Sequence, residues 1–186
     1  MAVLVKDLSL EQFLELPEEK PAFEFEDGRI TQKVSPQGQH GRIQAGLTEL
    51  IDRFAIPRKV ALTLTEFRAS YGSRSYVPDL SVYRWSRLSF NAAGKLANKQ
   101  SNLPDLVVEI VSPDQSVTAL VRHCLWYVLQ GVAVAVLVDP DDESVLSFRP
   151  NQVTASLTGS DRIDLDDVLP GFELTVQAVF DLLRVE

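Results

Sequence analysis

The chain has 186 residues, of which 45% are hydrophobic and 24% are charged, a profile typical of one globular domain over residues 1–186. Its length allows a full hydrophobic core without disulfides, and its one cysteine cannot form an internal bridge. The first residues lack a signal-peptide pattern, and no apolar run reaches about 18 residues, so we expect a cytoplasmic protein. The net charge of −8 argues against a generally basic nucleic-acid binder.

The first half of the sequence contains patterns for a short helix, a hairpin, a long helix and two strands. Ser9 followed by Gln12 is a capping box at a helix start. The segment "AFEFEDGRITQKV" alternates around Asp27-Gly28, which predicts a tight hairpin turn. Apolar residues recur at helical spacing over residues 39–54. After that helix, "KVALTLTEFRAS" and "SYVPDLSVYRW" are predicted to be strands.

The second half predicts a loop, a buried strand, a clear helix, a hairpin and a final helix. Residues 86–102 are small and polar, which is typical of a loop. Apolar spacing from Val117 to Val128 predicts a helix that ends at Gly131. The segments "VAVAVLVDP" and "SVLSFRP" follow as a hairpin, and Thr175 caps the last helix. This order indicates an α/β (α+β) fold with a mixed sheet and helices packed against it.

One acidic residue, Glu109, interrupts the apolar stretch "PDLVVEIVSP". Side chains alternate along a strand, so Glu109 shares a face with Val107 and Val111. In "VPDLSVY", Asp79 stands at the same kind of position. If the two strands are neighbours, both acids lie side by side, and their repulsion is relieved by a shared proton or by a bound cation such as Mg²⁺ or Mn²⁺.

The alternative to a functional role is that Glu109 forms a structural ion pair with an arginine, for which Arg74 and Arg84 are the candidates. Asp105 is a weaker site candidate, because an acid at a strand start usually caps the strand or faces water. The region around these residues is basic: residues 53–100 hold nine lysines and arginines against two acids. Such asymmetry favours one positive face for DNA, or else the charges are scattered and serve solubility.

These segments carry a family likeness. In order, "FEFEDGRI", "VPDLSVY", "PDLVVEIVSP", "YVLQGVAVAVLVDP" and "VLPGFEL" resemble the restriction-endonuclease-like family of the Uma2 type from about residue 10 to residue 184. That family is similar to the PD-(D/E)XK nuclease superfamily, whose core is a mixed β-sheet flanked by helices. The resemblance implies a Mg²⁺-dependent (or Mn²⁺-dependent) endonuclease that hydrolyses phosphodiester bonds in DNA.

The resemblance also implies roles for individual residues. Asp79 is the aspartate of the PD motif and Glu109 the second acid, and both bind the metal. Val111 stands where the superfamily has a lysine, so only its backbone carbonyl can help hold the ion. Glu24 matches a family acid and extends the site, unless it is a surface acid of the hairpin. His40 matches a family histidine but forms no metal cluster by itself.

The helix after Glu109 offers a substitute for the missing lysine. Eight residues before Gly131, where family members often have lysine, this chain has His123. Either its protonated ring contacts a phosphate, or it is a half-buried structural histidine.

Three functions remain open at this point. The retained acids favour a nuclease. The missing lysine and the acidic net charge favour a catalytically impaired relative that binds nucleic acid or protein. A carboxylate-pair hydrolase of another type is the third. A homodimer would suit duplex cleavage, which needs two cuts.

Overall fold

The computed structural model describes residues 3–5, 8–113 and 115–184, with side chains described from residue 8 onward. Within this part of the chain, the helices are α1 (Leu10–Leu14), α2 (Gly38–Ala55), α3 (Val117–Leu129) and α4 (Val176–Asp181). The strands are β1 (Val3–Val5), β2 (Phe23–Glu26), β3 (Arg29–Gln32), β4 (Ala61–Thr65), β5 (Ala69–Tyr71), β6 (Arg74–Tyr76), β7 (Leu80–Arg84), β8 (Leu106–Ile110), β9 (Val134–Asp139), β10 (Ser144–Phe148) and β11 (Ala155–Thr158).

The described strands form two sheets. A five-stranded antiparallel sheet has the order β1-β3-β2-β6-β5, and a six-stranded mixed sheet has the order β11-β10-β9-β8-β7-β4. In the mixed sheet β8 and β9 are parallel, and α3 makes the crossover between them, as parallel neighbours require. The expected mixed sheet flanked by helices is therefore confirmed.

The faces of the mixed sheet are set by side-chain alternation along β8. Leu106, Val108 and Ile110 pack in the core that includes α2 and α4. Val107 and Val111 pack on the opposite side with α3. Glu109 alternates with its neighbours and so belongs to the α3 side.

The local signals in the sequence are reproduced. Ser9 and Gln12 form the capping box of α1. Asp27 and Gly28 have φ values of +47° and +87°. A type I′ two-residue hairpin turn requires positive φ at both of its central residues. Helix α3 is capped by the Ser116 hydroxyl, and helix α4 by the Thr175 hydroxyl.

One predicted strand, "SYVPDLSVYRW", proved to be two. Its first part is β6 in the five-stranded sheet, and its second part is β7 in the mixed sheet. Residues 77–79 connect them, with Pro78 lacking the N–H that a continuous ladder uses. The predicted strand before it divides in the same way into β4 and β5, so between β4 and β7 the chain crosses twice from one sheet to the other. Strands β1 and β11 were not predicted.

None of the helices in the described residues combines the length and the apolar character that crossing a membrane requires.

Candidate active site

The crossing between the two sheets holds Asp79. This aspartate immediately precedes β7, is 2% exposed, and accepts a 2.7 Å hydrogen bond at Oδ2 from the backbone N–H of Ile110 in β8. The bond ties the carboxylate to the neighbouring strand. Its second oxygen, Oδ1, faces other side chains.

Glu109 lies beside Asp79. Strands β7 and β8 are antiparallel, with Leu80 opposite Val108. Continuing this register by one residue places Asp79, just before β7, opposite Glu109. Glu109 is 2% exposed and accepts a 2.9 Å hydrogen bond from the Tyr127 hydroxyl of α3. This is the side-by-side arrangement that strand alternation predicts.

The suggested arginine partners of Glu109 are engaged elsewhere, so that alternative was wrong. Arg74 forms ion pairs with Glu26 and Asp27. Arg84 pairs with Asp105, which is 1% exposed and also pairs with Arg87, and therefore neither faces water nor belongs to the site.

The cation near the acids is Lys33, which follows β3. Its ammonium lies 2.7 Å from Asp79 Oδ1, 2.7 Å from the carbonyl oxygen of Val77 and 3.1 Å from Glu66 Oε2. The side chain is 9% exposed. The ammonium therefore has an oxygen acceptor for each of its three N–H donors.

His40 reaches the same aspartate from α2. Its Nε2 lies 3.3 Å from Asp79 Oδ1 but, buried as it is, makes no hydrogen bond within the described part of the chain. On the other side of the ring, Nδ1 is 2.9 Å from the hydroxyl oxygen of Ser112. Ser112 thereby holds the imidazole with Nε2 toward the acids. Ser112 is itself 2% exposed, so it is not an accessible nucleophile.

Glu66 completes a possible ligand set. His40, Glu66 and Asp79 each offer one ligand atom, and these atoms lie within 4.8 Å of one another. Gln44 fixes Glu66 by donating to its Oε1 and to the backbone carbonyl of Asp79, both at 3.0 Å. Glu66 also has a φ of +49°, an unusual backbone for this residue type and one that occurs mainly where function or packing demands it.

Glu24 closes the site from the hairpin. It is 6% exposed rather than a surface acid, and its Oε1 accepts a 2.9 Å hydrogen bond from the backbone N–H of Val77. The hairpin register pairs Glu24 with Thr31, and Lys33 donates its backbone N–H to Ala22 in continuation of that register. Side chains of Glu24 and Lys33 therefore lie on one face of the hairpin.

The acids respond differently to this shared burial. Desolvation raises the pKa of Glu109 well above its ordinary value, and the negative charge of Asp79 adds to the shift. Desolvation likewise raises the pKa of Glu24 to about 7, against the opposing effect of Lys33. For Asp79, desolvation also acts upward, but Lys33 and His40 outweigh it and lower the pKa below its ordinary value. Within this site, the charged form is favoured for Asp79 and disfavoured for Glu109 and Glu24.

His123 and Val111 occupy less direct positions. The His123 ring stacks on Tyr76 with ring centroids 3.9 Å apart, and its buried Nδ1 makes no hydrogen bond in the described chain. Burial, assisted by Arg122, lowers the pKa of His123 to about 3, so the ring is uncharged at neutral pH. Val111 is 8% exposed and lines a small cavity together with His40.

A cleft of about 510 Å³ borders the site, and its lining includes Lys33, His40, Glu66 and Asp79. A larger groove of about 760 Å³ shares Glu66 with it and continues along the loop that contains Lys99. The Lys33 side of Asp79 therefore borders a cleft that is continuous with a longer groove.

Sequence reasoning missed Lys33, Glu66, Gln44 and Tyr127. Lys33 was detectable, since a two-residue turn at Asp27-Gly28 fixes the register that places it beside Glu24. The buried position of His40 was also detectable, because it precedes the apolar stripe of α2 by one turn. Nothing in the sequence marks Glu66, whose position depends on a backbone conformation that glutamate rarely adopts.

Comparison with known proteins places this arrangement in a family. Residues 10–177 match the model of a family described as "Uma2: Putative restriction endonuclease". A crystal structure described as a "putative nuclease belonging to DUF820 from Anabaena variabilis" superposes with a TM-score of 0.91 at 34% sequence identity, covering 95% of this chain and 99% of that one. A search of curated proteins found no match. Since the family model spans most of the sequence, the chain belongs to the Uma2 family.

Proposed function

We propose that this protein is a metal-dependent nuclease that hydrolyses phosphodiester bonds in DNA, with Mg²⁺ or Mn²⁺ as its cofactor. The observation that carries the proposal is the convergence of three buried acids, Asp79, Glu109 and Glu24, of which Asp79 lines a cleft of about 510 Å³. Burying this many carboxylates beside one lysine costs stability, and such a cost is retained where the charges serve a function. The family and the Anabaena structure support a nuclease-like activity.

The side chains present suit a divalent ion. Carboxylates of Asp79 and Glu66 are the hard oxygen donors that Mg²⁺ and Mn²⁺ prefer. The buried Nε2 of His40 lies 3.3 Å from Asp79 Oδ1 and makes no hydrogen bond among the described residues, so a neutral imidazole could offer this nitrogen to an ion. Glu109 and the carbonyl of Val111 remain proposed ligands from the α3 side. When bound, such an ion polarises the scissile phosphate and lowers the pKa of a water molecule.

The surrounding residues have separate tasks in this proposal. The Ile110 N–H and Gln44 orient Asp79 and Glu66. Ser112 fixes the imidazole of His40, as second partners of ligand histidines do. Burial and the charge of Asp79 raise the pKa of Glu109, and the positive charge of a bound ion would lower it again, which favours Glu109 as a ligand when the ion is present.

Metal binding and cleavage test the proposal together. We expect Mn²⁺ to bind the wild type in calorimetric titration, and Asp79→Asn to abolish both that binding and plasmid nicking. Glu49→Gln is the matched control, because Glu49 is exposed on α2 and has only a 3.9 Å contact to Arg53. Unchanged Mn²⁺ affinity in Asp79→Asn would contradict the assignment of the metal to this site.

The second candidate is a non-catalytic binding module. It is favoured by Val111 at the superfamily's lysine position and by the neutral state of His123. This candidate predicts DNA or protein binding that persists in Asp79→Asn, together with wild-type protein that neither nicks plasmid nor binds Mn²⁺.

A further inference from the structure

The ammonium of Lys33 lies in the position that a cation would take in this site. It is within 2.7 Å of Asp79 Oδ1 and of the Val77 carbonyl, and 3.1 Å from Glu66 Oε2. Asp79 and Glu66 are two of the three residues whose ligand atoms cluster for metal binding, and His40, the third, is 3.3 Å from the same Asp79 oxygen. A divalent ion bound by these residues and the Lys33 ammonium therefore compete for one oxygen of Asp79.

The ammonium is also the one positive group aimed at the acids by the described structure. The arginines near the site pair with other acids, namely Arg68 with Glu18, Arg74 with Glu26 and Asp27, and Arg84 and Arg87 with Asp105. The ring of His123 stacks on Tyr76 and makes no polar contact with Asp79. Lys20 also lines the cleft, but it is exposed and makes no ion pair with these acids among the described residues, so a substrate phosphate that reaches Asp79 would meet Lys33 as its cationic partner.

Lysine is suited to changing partners. Its four-carbon chain is flexible and its three N–H donors rotate freely, so the ammonium is able to move by a few ångströms without a change in the backbone. Lys33 is anchored by its backbone N–H to Ala22 at the end of the hairpin, and its side chain lines the cleft. It therefore stays at the site after it leaves Asp79.

We propose that Lys33 is the lysine of this active site, supplied by the hairpin instead of by β8 or α3. In the metal-free protein its ammonium stands in for the ion between Asp79 and Glu66. When an ion takes its place, Lys33 moves into the cleft and contacts the scissile phosphate, where its charge stabilises the transition state. This inference rests on the proposed nuclease function and adds a residue role to it.

The first test is metal affinity, which does not depend on activity. Lys33→Met removes the competing charge, so calorimetric titration should show Mn²⁺ binding about tenfold or more tighter than in wild type. Lys95→Met is the control, since Lys95 is an exposed loop lysine for which the described structure shows no ion pair; its Mn²⁺ affinity should stay at the wild-type value. Equal or weaker binding in Lys33→Met would overturn the stand-in role.

The second test is cleavage with the ion bound. At saturating Mn²⁺, Lys33→Met should lose about two to three orders of magnitude in the rate of plasmid nicking, the effect of removing one group that stabilises transition-state charge. Lys33→Arg, which keeps the charge, should retain part of the activity. A Lys33→Met protein that binds Mn²⁺ and nicks as fast as wild type would show that Lys33 has no catalytic role.

The outcomes for the two proposals are separable. If wild type binds Mn²⁺ and cleaves DNA but Lys33→Met behaves identically, the nuclease function stands and the role of Lys33 is wrong. If Asp79→Asn binds Mn²⁺ as well as wild type does, the nuclease site itself is wrong. Because Lys33→Met leaves buried acids without a cation, its fold is checked by circular dichroism with and without Mn²⁺. If the methionine variant does not fold, Lys33→Gln, which removes the charge but keeps N–H donors for Asp79, takes its place in both tests with the same expected results.

Discussion

At the scale of single residues, desolvation and hydrogen-bonded or ionic partners shift the pKa of each buried acid in opposite directions. The net shift differs from acid to acid. Asp79 receives an ammonium at one oxygen and a backbone N–H at the other, so its charged form is stabilised despite burial. Among the described residues, Glu109 accepts one hydrogen bond, from the Tyr127 hydroxyl, and Glu24 accepts one, from the Val77 N–H. One hydrogen bond does not offset the burial of a carboxylate, and their pKa values rise.

The raised pKa of Glu24 leads to a prediction about how the free energy of unfolding changes with pH. Its pKa is about 7 in the folded protein, above the ordinary 4.5, so between these pH values the native state holds a proton that the unfolded state has lost. Stability from this group is therefore present below pH 4.5 and falls as the pH rises toward 7. Glu24→Gln mimics the protonated form, and we expect it to match wild type at about pH 5 and to exceed it by about 2–3 kcal/mol at about pH 8.

Urea unfolding of both proteins at the two pH values measures this difference. Glu26→Gln, the half-exposed neighbour in β2, is the control, and its effect should not show the same growth with pH. A Glu24→Gln variant that is destabilised equally at both pH values would mean that the carboxylate is ionised and usefully paired in the native state.

The same residues show how far the sequence predicts the site. Strand alternation predicts the face that Asp79 and Glu109 occupy, but the register that makes them neighbours is seen only in the structure. The position of Lys33 can be predicted from the hairpin register, if the turn at Asp27-Gly28 fixes the pairing as far as Ala22 and Lys33. Glu66 does not follow, since its side chain reaches the site through a left-handed backbone that no glutamate pattern announces.

At the scale of elements, the candidate active site lies mainly at connections between strands. Asp79 lies where the chain passes from β6 to β7, and Glu66 lies where it passes from β4 to β5, and the backbone N–H of Glu66 donates to the carbonyl of Asp79. The sequence predicted strands at both places but not their division, because the apolar and β-branched residues continue through each crossing. Side-chain patterns predict that a segment is extended, whereas the sheet it joins depends on the strands it pairs with, which are distant in sequence.

Helix α3 contacts this region through aromatic packing. His123 stacks on Tyr76 of β6, and Tyr127 one turn later supports Glu109. Both positions lie at the flank of the apolar stripe that predicted the helix. The element therefore contributes packing and one hydrogen bond to the site, and its histidine is held in a neutral state.

Replacing His123 tests that assignment. Since its folded pKa of about 3 lies below the ordinary 6.5, the unfolded state binds more protons between these values, and wild-type stability rises with pH across this range. In His123→Phe this contribution is absent, so the variant should gain stability relative to wild type as the pH falls, by about 2–4 kcal/mol at about pH 4. Chemical denaturation at about pH 4 and pH 7 measures it, and nicking activity at neutral pH should be largely retained. Strong loss of activity without loss of folding would instead support a catalytic His123.

At the scale of the whole molecule, the basic segment is less available than its composition indicates. The arginines at positions 68, 74, 84 and 87 all form ion pairs with acids from elsewhere in the chain. Lys95 and Lys99 form none among the described residues, and they lie in the loop between β7 and β8. Since Lys99 lines the groove that continues from the active-site cleft, this loop is the surface on which we expect a nucleic-acid backbone to lie.

The last prediction separates structural arginines from DNA-contacting lysines. With Ca²⁺ in place of the cofactor to prevent cleavage, duplex binding should weaken with salt, and Lys99→Gln should reduce the log–log slope by about 0.9, the share of one phosphate contact. Arg84→Gln should leave that slope unchanged but lower the free energy of unfolding by about 1–2 kcal/mol, because buried Asp105 loses one of its two guanidinium partners and keeps Arg87 and the backbone N–H of residue 84. Fluorescence anisotropy across a salt series and urea unfolding give the two quantities. A slope that falls in Arg84→Gln and not in Lys99→Gln would place the DNA on the β7 side of the molecule, away from the groove.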